Sequence, residues 1–151
     1  MQKEHIKFLE ELKEFDIKNN KESALKWRSK PEDYSYVFGI GMSKVHIGIA
    51  LPPPEYKHIN VELCIRNNEN LYDFLENIRG YIDSQISDLD WNPPFDDNKN
   101  GNKNSKIIKK IADDFRHPND KDALFEEILQ VTKLFFSVFE DKIKEFKKEN
   151  K

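Results

Sequence analysis

Glu62-Leu63-Cys64-Ile65-Arg66 sets an acid, a thiol and a guanidinium at alternate positions of a run whose other residues are apolar. A spacing of two puts all three on one side of an extended strand. Three chemistries compete for them. A metal-dependent nuclease needs carboxylates at the end of one strand and an acidic-x-Lys pattern on the next, to hold a divalent ion against a phosphodiester. Asp33 and Glu62 supply the acids, but Cys64 stands where the lysine is wanted and Arg66 comes two residues later. A transition-metal site is the second possibility. His46 and His58 share the side of Glu62 and Cys64 by parity, yet four ligands at a diagnostic spacing are absent. The third is a Cys64 nucleophile with His46 as its base, although mid-strand is an unusual place for one. Plainer readings stand beside each: a surface glutamate, a His–Glu hydrogen bond, a small side chain filling space. No catalytic residue, metal or cofactor is assigned.

Binding fits these residue types better. Trp27, Arg28, Lys30, Lys44, His46, Arg66 and Tyr56 can converge on one sheet face or its rim, where aromatics stack on bases and cations neutralise phosphates. The competing account puts Trp27 in the core and scatters the cations through solvent. A protein partner is the other class of ligand, because Ser35, Gly39, Gly48 and Ala50 make a low-relief strip on that face. Leu9, Leu12 and Phe15 of the first helix compete for the strip. The expectation is a non-enzymatic recognition domain whose binding residues are Trp27, Arg28, His46, Glu62 and Arg66, with a protein or nucleic acid as partner. The rival is a nuclease of restriction-endonuclease type using Asp33 and Glu62.

The elements that position these residues follow from periodicity. Tyr34, Tyr36, Phe38 and Ile40, then Val45, Ile47, Ile49 and Leu51, then Ile59, Val61, Leu63 and Ile65 alternate with small or polar residues. Period two over three runs predicts three antiparallel strands with one face in a core. Gly41-Met42-Ser43-Lys44 makes the first hairpin loop, setting Gly39 beside His46 and Val37 beside Gly48. Ile6, Phe8, Leu9, Leu12 and Phe15 have helical spacing, and Pro31 forces Lys30 out of helical geometry ahead of the first strand. A second helix starts from an Asn68 cap and runs through Leu71, Phe74, Leu75, Ile78, Ile82 and Ile86. Pro93-Pro94 stops any continuation beyond Leu89-Asp90-Trp91. Residues 96–105 read as a solvent loop, and residues 106–115 as a fourth strand rather than a short helix. A last helix, capped by Asn119 or Asp120, carries Leu124, Ile128, Val131, Phe135, Phe139, Ile143 and Phe146, with a frayed tail from Lys147. The prediction is one α+β domain over residues 1–151, in the order α-β-β-β-α-β-α. Its antiparallel meander of three or four strands has helices on one face.

Composition narrows the class. Charged residues make up 35% of the 151 and the net charge is −3, which excludes a uniformly basic surface while leaving room for local basic patches. One cysteine cannot form an internal disulfide. No apolar run approaches the roughly 20 residues that span a bilayer, and the N-terminus enters a charged helix pattern at once. A cytoplasmic protein without membrane attachment is expected.

Several local signatures occur in a recognisable order: Trp27-Arg28 with Pro31; Phe38-Gly39-Ile40-Gly41-Met42-Ser43-Lys44-Val45-His46-Ile47; Asn60-Val61-Glu62-Leu63-Cys64-Ile65; Leu89-Asp90-Trp91; and a closing helix rich in Phe. Together they resemble the bacterial and archaeal domain of unknown function 4268 (DUF4268), from the first helix to about residue 146. In that family the domain often sits at the C-terminal end of longer proteins, some with restriction-endonuclease-like domains. The resemblance implies an accessory part in DNA handling or defence and supplies no catalytic residue set.

Overall fold

The alternating runs do become strands. The computed structural model describes residues 2–27, 30–31, 34–53, 55–96 and 101–150. Among these, nine elements follow one another: α1 (Gln2–Asn19), β1 (Ser35–Gly39), β2 (Val45–Ala50), β3 (Ile59–Arg66), α2 (Glu69–Asn77), α3 (Arg79–Gln85), β4 (Leu89–Asp96), β5 (Lys103–Ile111) and α4 (Lys121–Glu149). The strands form one antiparallel sheet in the order β1-β2-β3-β5-β4. The α+β class and the helices on one face agree with the sequence. The first hairpin has the expected register, Gly39 opposite His46 and Val37 opposite Gly48. Gly41 takes φ +84° in its loop, a conformation that costs glycine nothing.

Three predicted features change. The sheet has five strands, because Leu89–Asp96 is itself a strand where the sequence predicts no element. Pro93 and Pro94 are tolerated there because β4 is an edge strand, where a missing N–H breaks no second ladder. The 96–105 stretch is also shorter as a loop, since β5 begins at Lys103 and Ser105 is buried; residues 97–100 lie outside the described part. The single helix expected through Ile86 is two, broken at Ile78 (φ −110°, ψ 22°) just before Arg79-Gly80. Glycine in the first turn of α3 weakens continuation.

Caps fix the other boundaries. Asn68 accepts a hydrogen bond from the Leu71 N–H at 3.1 Å, and Asp120 accepts one from the Ala123 N–H at 3.1 Å. The expected frayed tail stays helical to Glu149, where the Lys147 ammonium donates to the Gly41 carbonyl at 2.9 Å.

The core lies between the sheet and the helices. Tyr36, Ile47, Ile49, Ile59, Val61, Leu63 and Ile107 are fully buried on one sheet face, against Leu9 and Leu12 of α1, Leu71 and Leu75 of α2, Ile82 of α3, and Phe135 and Phe139 of α4. Ring contacts tie α1 to α4 (Phe8–Phe125), α4 to β1 (Phe136–Phe38) and α2 to β4 (Tyr72–Trp91). Each described helix therefore serves the same face. Leu9 and Leu12 are buried in this core, not on the small-residue strip.

Candidate functional site

With the described helices on one side, the strand side chains that face the other way form, among the described residues, the opposite face of the sheet. The registers set them out in rows across the strands. One row runs Phe95 (β4), Asn104 (β5), Arg66 (β3). The next runs Asn92, Lys106, Cys64, His46 and Gly39. A third runs Asp90, Ile108, Glu62, Gly48 and Val37, and a fourth Lys110, Asn60, Ala50 and Ser35. Directly opposed residues of an antiparallel pair share a face, so these side chains all belong to the open side. Cys64 and Ile108 are buried without joining the main core, as expected for residues shielded by their in-sheet neighbours.

A groove of about 270 Å³ runs over these rows, lined only by strand residues, among them His46, Glu62, Cys64, Arg66, Asn104 and Lys106. At its centre the Glu62 carboxylate, 9% exposed, accepts from the Lys106 ammonium at 3.3 Å and from the Cys64 thiol at 3.5 Å. Gly48 lies opposite Glu62 across the β2–β3 ladder, but the carboxylate does not depend on glycine there. A Cβ built at Gly48 would meet the Glu62 Cγ at 3.8 Å, an ordinary contact. Arg66 is exposed and, among the described residues, has no acidic partner within ion-pair distance. Lys110 pairs with Asp90 at 3.5 Å, both half-exposed. Burial first, then the Lys110 ammonium, hold the His58 imidazole below the usual histidine range, so it is neutral at pH 7.

The thiol is not poised for nucleophilic chemistry. Burial first, then the negative Glu62 carboxylate, push the Cys64 thiol up to about 12, against the opposite pull of Lys106 and Arg66. At pH 8 the reactive thiolate is then roughly 1 in 10,000. Labelling of the folded protein by a disulfide reagent at pH 8 should be at least about 1,000-fold slower than labelling in urea. Equal rates would mean that Cys64 is not held against Glu62.

The residues expected to act together divide. His46, Glu62 and Arg66 are brought onto one face. Trp27 is not: its ring packs edge-on to Tyr36 and Phe38, and its Nε1–H donates to Asp16 at 2.8 Å on the helix side of the sheet. Convergence of Trp27 with the other binding residues is therefore corrected, its indole being needed to close the core beside β1. Arg28 and Asp33 lie outside the described residues. Among the described residues, no group of three or more His, Cys, Asp or Glu side chains is placed to hold a metal ion.

Lys106 was missed by sequence reasoning. It lies 44 residues from Glu62, and only the β3–β5 register brings the two together. The spacing Lys106-x-Ile108-x-Lys110 was the available signal, once residues 106–115 were read as a strand.

A larger cleft of about 560 Å³ opens between residues 24–26, residues 38–41 and α4. Of its charged groups, Lys133 pairs with Asp16 at 3.0 Å and Glu140 with Lys144 at 3.9 Å, while Lys26 is exposed at its rim. No helix among the described residues is long and apolar enough to cross a membrane. Comparisons with family models, curated proteins and solved structures return no match for this chain.

Proposed function

We propose that this chain is a non-enzymatic recognition domain that binds nucleic acid across the open face of its sheet, as an accessory part of a DNA-handling or defence system. The observation that carries the reading is the exposed Arg66 guanidinium, which has no acidic partner among the described residues, in the lining of a groove formed by strand residues. On a chain with net charge −3, an uncompensated cation gives a polyanion one place to settle rather than many. Glu62 and Lys106 form an ion pair whose charges cancel, so Arg66 carries the uncompensated charge of this face. The resemblance to the domain of unknown function 4268 points the same way.

The test is fluorescence anisotropy with a labelled 20-nucleotide probe at two salt concentrations. Each phosphate contact on a single strand contributes about 0.7 to the slope of log affinity against log salt. Arg66→Ala should lower that slope by about 0.7 and weaken binding several-fold, while leaving the urea midpoint unchanged. No anisotropy change at low salt would retire the reading and point to a protein partner for the same face.

A further inference from the structure

The end of β4 does something the rest of the sheet does not. Asn92 faces Lys106 and Phe95 faces Asn104, so three steps along β4 match two along β5. A one-residue slip of this kind reverses the side to which later side chains point. Phe95 would otherwise follow Trp91 toward the helices, and the bulge turns it onto the open face. It is 71% exposed, the most exposed large apolar side chain among the described residues. The other exposed aromatics, Tyr34, Tyr56 and Tyr81, each carry a hydroxyl that water can solvate; Phe95 has none. Its row continues through Asn104 to Arg66, two strand spacings or about 10 Å away. Lys106 stands in the adjacent row, two residues along β5 from Asn104.

An uncovered ring level with an uncommitted guanidinium is the pairing that single strands use. Every base has a π-face to stack on an aromatic, and its neighbouring phosphates need cations. A duplex keeps its bases stacked on one another and offers none to a flat sheet. We infer that the nucleic acid taken by this face is single-stranded, with one base on the Phe95 ring and a flanking phosphate at Arg66. This rests on the nucleic-acid reading above and adds the strandedness of the ligand and a stacking residue.

The test titrates the intact chain against a 12-nucleotide DNA strand, the same strand as RNA, and the corresponding DNA duplex. The single strands should bind at least about tenfold tighter than the duplex, with DNA and RNA similar, because stacking and charge do not read the 2′-hydroxyl. Phe95→Ala should weaken single-strand binding by about 5- to 100-fold with the salt slope unchanged, and Phe95→Tyr should restore most of it. The ring is exposed, so both variants should keep the wild-type urea midpoint. Wild-type affinity in Phe95→Ala, or equal binding of duplex, would overturn the stacking assignment while the salt-slope effect of Arg66→Ala kept the nucleic-acid reading. Failure of all three probes to bind would overturn both.

Discussion

Replacing Asp16 by alanine should destabilise the fold by about 3–5 kcal/mol, the largest single effect expected from any polar residue here. Asp16 is fully buried at the end of α1. One carboxylate oxygen accepts from the Leu25 N–H and the Trp27 Nε1–H, both at 2.8 Å. The other accepts from Asn20 at 2.9 Å and from the Lys133 ammonium of α4 at 3.0 Å. Removing it strands two part-buried donors of the connecting segment and leaves a cavity at a fully buried position, while Lys133, 31% exposed, can still turn to water. The melting temperature should fall by roughly 10 °C, at 2–4 °C per kcal/mol for a domain of this size.

The pH dependence follows with a definite sign. Burial alone would raise the Asp16 carboxyl, but the donors from Leu25, Trp27, Asn20 and Lys133 outweigh it and hold the group below its ordinary value. A carboxylate whose folded value is depressed adds stability above its unfolded value, about 3.9, and loses it as pH falls through the folded value. Asp16→Asn keeps one acceptor and loses the charge. Its deficit against wild type should be full at pH 7 and shrink below about pH 4. Urea melts across that range check it; a deficit independent of pH would mean that the ionised carboxylate is not what holds the segment.

Asp16 also shows where sequence reading stops. In the chain it is one charge among many on an amphipathic helix, and nothing local marks it as buried. Its role appears only when residues 20–27 fold back and deliver Leu25 and Trp27 to it. Trp27 was misplaced for the same reason, since an indole beside Arg28 reads equally as a ligand platform or as core. β2 and β3, the two strands containing His46, Glu62 and Arg66, were legible because their apolar rows face one core, so parity alone sorted the opposite face. β4 and β5 were less so. Pro93-Pro94 argues against a strand unless the strand is known to be an edge. The Lys103–Ile111 run does not alternate cleanly, because Lys109 points to the helix side, where its ammonium donates to the Ser87 carbonyl at 2.8 Å. Lys106 and Phe95 were therefore invisible as site residues: one needed a register, the other a bulge.

The two-sidedness of the sheet is itself measurable, on neighbouring residues of one strand. Leu63 and Cys64 are both buried in β3, and burial alone would rank them as similar core positions. They face opposite ways. Leu63 is fully enclosed between the sheet and the helices, where truncation leaves a cavity that close-packed neighbours fill only partly. Leu63→Ala should cost about 2–5 kcal/mol. Cys64 is shielded only by side chains of its own face, which can settle into the space of one lost sulfur. Cys64→Ala should cost about 1 kcal/mol or less. Chemical denaturation of the two variants in parallel gives the comparison. Equal large costs would require a second packed layer over Cys64, and with it the groove, the stacking ring and the Arg66 guanidinium would lose their access to any ligand. A several-fold gap between neighbours would make the open face a property of the folded protein that binding experiments can then address directly.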